Sequence, residues 1–242
     1  MELFFQLRKT MALFFASAMV FSVQQQIEAN SQQSPVNFEF KGGKIIEINL
    51  VDPTFDGHDE AVTFKISGHH GHRSLKVVSK NVPALTVENE EYELKQFHFH
   101  APAEHKFDDV EHALEVHFVH EKEIEPGAQY PKRAVVGLLF KVGAHNEAIQ
   151  EVIDLANAGE DAEHKLVPAN ILFSSDSRAL RYLGSLTTPP YTQGVSWVVF
   201  RGIAQISQEQ LNELKRLDLS HTSRPAQPLT DSAVVADSYL DK

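Results

Sequence analysis

The chain has 242 residues, 42% hydrophobic and 23% charged, a globular composition that excludes a disordered or collagen-like polymer. Its net charge of −11 argues against nucleic acid or an anionic membrane as partner, since both would be repelled. With no cysteine, disulfides, thiolate nucleophiles and Cys-ligated zinc are excluded, and 13 histidines make imidazole the chemistry to follow.

Residues 1–29 read as a secretory signal peptide. Arg8 and Lys9 precede the apolar run at residues 10–23, and the polar stretch QQQIEA ends at Ala29. Such a run would span only about 21 Å as a helix, short of a ~30 Å hydrocarbon core. The mature chain is therefore expected to be residues 30–242, periplasmic or secreted, off the membrane once cleaved and stable without disulfides. Short alternating runs follow at residues 44–51, 61–67, 74–79, 92–100, 113–120, 134–142 and 195–200, separated by turn clusters such as FKGGK, VDPTFDGHDE and LTTPPYTQG. This pattern predicts one β-dominated α+β domain on a large, mainly antiparallel twisted central sheet. A few peripheral helices complete it. Two are legible: residues 146–158, with apolar residues three and four apart and a Gly behind, and residues 207–217, opening on a Ser cap.

Two of the strands carry histidine in register. In the run ending QFHFH, Gln96, His98 and His100 share one face while Phe97 and Phe99 take the other. In ALEVHFVH, Glu115, His117 and Val119 share a face opposite Leu114, Val116 and Phe118. The short connection between the runs makes them candidate antiparallel neighbours. His98, His100 and His117 could then surround one ion, and three neutral imidazoles with an open fourth position describe a catalytic zinc site. Gln96 and Glu115 each lie two residues before a histidine on the same face, where an acceptor fixes the tautomer of a ligand ring. The spacing His98-x-His100-x3-Glu104 with a later His117 also fits a cupin, whose barrel holds iron or manganese. A cupin's first motif wants a Gly where this chain has Tyr92, and the P-x-G lead-in to its later His is missing.

QFHFHAPAEH (96–105), LEVHFVH (114–120) and GSLTTPP (184–190) together resemble the α-class carbonic anhydrases. So do QSPVN (33–37), VVGLLFKVG (135–143), GVSWVVF (194–200) and RPAQPL (224–229). The resemblance implies zinc on His98, His100 and His117, and reversible hydration of CO2 to bicarbonate by attack of zinc-bound hydroxide. It also implies that Thr187 accepts a hydrogen bond from that hydroxide and donates its own proton to Glu104. Thr188 would sit beside bicarbonate, and Val119, Val135, Leu186 and Trp197 would form the apolar wall that holds CO2. A homodimer is an admitted assembly. The family's proton-shuttling N-G-H motif falls in ISGHHGHRSLKV (66–77), where Gly71-His72 is the best local match and His70 and His69 lie close by.

Departures accompany the resemblance, among them Gln193 where Glu is common. The H-W-x-Y segment that family members carry ahead of QSPVN has no counterpart, and Tyr191 stands where many bacterial members have a Cys. The remaining histidines, among them His105, His112 and His120, read as packed or surface residues, and His58 shows no pattern. Besides a zinc lyase, a catalytically weak carbonic-anhydrase-like binding protein and a cupin-type metalloenzyme are the alternatives.

Overall fold

The computed structural model describes residues 32–40, 45–47, 53–69, 72–78, 82–159, 162–172, 178–217, 219–229 and 235–239. The expected signal peptide, residues 1–29, lies outside the described residues.

Strands dominate, as the short alternating runs require. The first are β1 (Asn37–Phe38), β2 (Ile45–Glu47), β3 (Thr54–Asp56) and the hairpin β4 (Val62–His69) with β5 (His72–Val77). Then come β6 (Ala84–Val87), β7 (Glu90–His100), β8 (Lys106–Phe107), β9 (Leu114–Glu121) and β10 (Arg133–Val142). Helix α1 (Glu147–Ala158), β11 (Glu163–Leu166), α2 (Pro168–Leu172), β12 (Arg178–Ser185) and β13 (Gln193–Ile206) follow. The last are α3 (Gln208–Arg216), β14 (Ser220–His221) and β15 (Val235–Tyr239). The expected strand at 44–51 is described only as β2, because residues 48–52 fall outside the described set.

The main sheet runs β11-β4-β5-β7-β9-β10-β13-β12-β15-β2. Most neighbours are antiparallel. The parallel pairs in this sheet are β10 with β13, β15 with β2, and β14 with β7. Its centre is buried on both sides, which is why β10 is apolar from Ala134 to Phe140 without alternation. One face packs Phe64, Phe97, Phe99, Phe118, Phe140 and Phe200 against the apolar sides of α1 and α3. The opposite face carries a smaller cluster that includes Phe38, Val119, Val135, Tyr182 and Trp197. The histidine faces of β7 and β9 open on that second side.

Both predicted helices form and both are capped. Asn146 accepts the Ile149 N–H at 3.1 Å, and Gly159 ends α1 at φ +107°. Ser207 and Gln210 form a reciprocal capping box on α3.

Candidate metal centre

Strand register assembles the centre row by row. His98 stands opposite His117, His100 opposite Glu115, and Gln96 opposite Val119. Across the next ladder, Gly137 faces His117 and Val135 faces both Val119 and Trp197. One nitrogen from each of His98, His100 and His117 falls within 4.8 Å of the others. A single ion can therefore touch all three.

Each ring is fixed from behind by an acceptor. His98 Nδ1 lies 3.0 Å from Gln96 Oε1, His100 Nδ1 3.4 Å from the Thr222 carbonyl, and His117 Nε2 2.9 Å from Glu115 Oε1. An acceptor demands a proton on the nitrogen it faces, so the lone pair of each neutral ring sits on the opposite nitrogen. The donor set is thus three neutral imidazoles of fixed tautomer. That fits a zinc ion with one open position, whereas a structural site would be closed by a fourth protein ligand. His105, Glu115 and His117 also lie close together, but hydrogen bonds among them already account for that grouping.

Glu115 is the hub beneath the rings. Its Oε2 accepts the N–H groups of Glu104 (2.9 Å) and His105 (2.8 Å), and its Oε1 accepts from His105 Nδ1 at 2.7 Å. Burial alone would raise this carboxyl, but the His105 and His117 rings beside it hold it well below the usual range. The network continues from His105 Nε2 to the Tyr182 hydroxyl (2.7 Å), to Ser34 Oγ (2.7 Å), and from Ser34 N–H to Ser185 Oγ (2.9 Å). Sequence reasoning placed His105 among packed residues and gave Tyr182 and Ser34 no role. For His105 and Ser34 the signal was membership of the APAEH and QSPVN motifs; Tyr182 belongs to neither and carried none.

Glu104 and Thr187 meet beside the rings. Glu104 is almost wholly buried, accepts the Arg224 N–H at 2.7 Å through Oε1, and puts Oε2 3.8 Å from His117 Nδ1. Burial and the nearby Glu115 push its carboxyl up, the Arg224 N–H and the Thr187 hydroxyl pull it down, and it stands at about 8. The residues proposed to line the apolar wall also converge. Val119, Val135 and Trp197 belong to one buried cluster, with Leu186 packed against it and the Trp197 indole N–H donating to the Ser185 carbonyl at 3.0 Å. Thr188 is exposed on the loop that follows Thr187. The His72 backbone begins β5 opposite His69, while its side chain and all of His70 lie outside the described residues.

Comparison with known proteins gives this geometry a family. Residues 22–237 match the family model of eukaryotic-type carbonic anhydrases. A carbonic anhydrase of Neisseria gonorrhoeae is 32% identical over 212 residues, which are 84% of this chain and 76% of that protein. Dioscorin dioA3 of Dioscorea japonica is 34% identical over 166 residues, but they span only 59% of dioscorin and 65% of this chain. The α-carbonic anhydrase of Thermovibrio ammonificans, solved with sulfanilamide, superposes with a TM-score of 0.69 at 29% identity. That alignment covers 85% of this chain and 86% of the other. An extended family match, a relative above 30% identity and a shared fold agree, and the chain belongs to the eukaryotic-type carbonic anhydrase family.

Proposed function

We propose that the protein catalyses reversible hydration of CO2 to bicarbonate and a proton, with one zinc ion held by His98, His100 and His117. The observation that carries the reading is the convergence of three tautomer-fixed imidazoles beside Thr187, Glu104 and an apolar wall. Zinc supplies a Lewis acid that lowers the pKa of water from 15.7 to about 7, the value known for carbonic anhydrases themselves. The protein's own residues do the rest. Gln96, Glu115 and the Thr222 carbonyl hold the rings in register, so the ligands need no rearrangement on binding. A Thr187 hydroxyl that donates to Glu104 can only accept from the attacking oxygen, which aims that oxygen's lone pair at carbon. Val119, Val135, Leu186 and Trp197 suit CO2, which offers nothing for a hydrogen-bond donor to grip, and Thr188 would sit beside bicarbonate. The proton leaves through His72, whose ordinary pKa near 6.5 matches a donor of about 7. Residues 1–29 direct export, which delivers the enzyme to the periplasm or beyond.

The test is zinc content and CO2 hydration of the chain from residue 30. One zinc per chain and hydration well above the buffer rate are expected. His117→Ala should lose both while keeping the fold, and Thr187→Val should keep zinc but hydrate CO2 about 10²-fold more slowly, the scale of one positioned hydrogen bond. Zinc retained by His117→Ala would sink the ligand assignment. A dioscorin solved in complex with ascorbate shares this fold, which motivates one other reading, a catalytically weak carbonic-anhydrase-like binding protein, and stoichiometric zinc without hydration would favour it.

A further inference from the structure

Thr187 and Glu104 must be held against one another, yet they belong to different loops. Thr187 lies between β12 and β13, in a loop tied by the Leu186 N–H to the Thr192 carbonyl (2.8 Å) and the Tyr191 N–H to the Thr188 carbonyl (2.9 Å). Glu104 lies between β7 and β8. A third segment touches both. Arg224 donates its N–H to Glu104 Oε1 at 2.7 Å and sets its guanidinium carbon 3.8 Å from the centroid of the Tyr191 ring. The same guanidinium donates to Gln33 Oε1 (3.0 Å) and to the Ser34 carbonyl (2.6 Å). Gln33 in turn reaches the Tyr191 carbonyl at 3.5 Å.

Tyr191 is also strained. Its φ of +58° lies in the left-handed region, which a bulky side chain disfavours and which persists only where surroundings over-determine it. The Thr188 carbonyl and Gln33 hold its backbone, and the arginine face holds its ring, since a guanidinium over an aromatic ring is attracted by the ring's quadrupole. The backbone disfavours a bulky side chain here, yet one is present, and its ring is what Arg224 grips.

We propose that Tyr191 is a positioning residue: its ring, clasped by Arg224, locks the Thr187 loop to the segment that holds Glu104. This deepens the carbonic anhydrase reading and rests on Thr187 orienting the attacking oxygen. The clasp touches neither substrate nor metal and acts only through Thr187 and Glu104.

Two variants separate the ring from the backbone. Tyr191→Gly removes the ring and relieves the φ, whereas Tyr191→Phe keeps the ring face and loses only the hydroxyl. With zinc content unchanged, Tyr191→Gly should lower kcat/KM for CO2 hydration by about tenfold, in the range of one cation–π contact. Its pH–rate midpoint, and the pH midpoint of the visible band of the cobalt-loaded protein, should both move upward. Tyr191→Phe should stay within about twofold of the parent with both midpoints in place. Should Tyr191→Gly fail to fold, Tyr191→Leu, which fills the space without a π face, is read in the same way. A glycine variant with parental rate and midpoints would overturn the proposal, as would a phenylalanine variant damaged as badly as the glycine one. If the parent does not hydrate CO2, the functional reading fails by itself and the cobalt midpoints alone decide the clasp.

Discussion

The Glu115 carboxylate serves four donors from one buried spot, and the room for it is set by a residue with no side chain. A Cβ on Gly137 would stand 2.9 Å from Glu115 Oε1 and 3.8 Å from His117 Cδ2. Gly137→Ala should therefore displace the carboxylate from His117 and weaken zinc binding by roughly 10- to 100-fold, the usual cost of losing a partner behind a ligand. Chelator competition on the folded variant measures it, and parental affinity would show that Glu115 does not tune the ring. At this scale the sequence is readable where the chemistry is local. Strand alternation alone places Gln96 behind His98 and Glu115 behind His117. It cannot place Tyr182 against Ser34 or Arg224 against Glu104, because those partners lie more than a hundred residues apart and nothing in either segment's period points to the other.

The two principal helices meet at their N-termini through one side chain. Gln210 accepts the N–H groups of Ser207 (3.3 Å) and Asn146 (3.0 Å) and donates to the Asn146 carbonyl at 2.7 Å, so it serves the caps of both α1 and α3. Ser207→Ala should cost about 1 kcal/mol, an ordinary cap. Gln210→Ala should cost more, because it strands buried polar groups on two helices rather than one. Urea unfolding of both variants makes the comparison, and equal losses would refute the shared cap. The helices and the histidine strands are legible because period and capping residues agree there. Strand β12 is not. Its RALRYLGS has two arginines and a glycine where alternation is sought, and it forms because β13 and β15 pair with it on both sides. Buried Arg181 is accommodated by Glu88, whose carboxylate lies 3.6 Å away. Tertiary pairing, not local preference, makes that strand.

For the whole molecule, acid stability turns on two histidines outside the metal centre. His58 and His120 are buried with their Nε2 atoms 3.0 Å apart. Burial pulls His58 down to about 4 against the opposing pull of the Asp56 carbonyl and of the Asp56 and Asp59 charges. Burial and the neighbouring His58 hold His120 well below its ordinary range. The unfolded chain, with histidine near 6.5, therefore takes up protons first. Stability is whole above that pH and falls as pH drops toward the folded value. For His58 alone, a fall from 6.5 to about 4, at roughly 1.36 kcal/mol per pH unit, amounts to about 3 kcal/mol. Denaturation curves between neutral pH and about pH 4 should show this loss, and His58→Phe should flatten it; an unchanged slope would place the acid sensitivity elsewhere. The pairing of β2 with β15 carries a consequence of another kind. It sets Ile45 beside Val235, so a strand near the start of the fold waits for one near its end. Arg224, which reaches Glu104 and Tyr191, also arrives late. Such distant closures are slow, because chain entropy is spent before any contact is made. During synthesis, neither the pairing of β2 with β15 nor the Arg224 contacts can form until residues 224–239 have emerged. If residues 1–29 direct export as proposed, that delay suits a chain that must still be unfolded at the membrane.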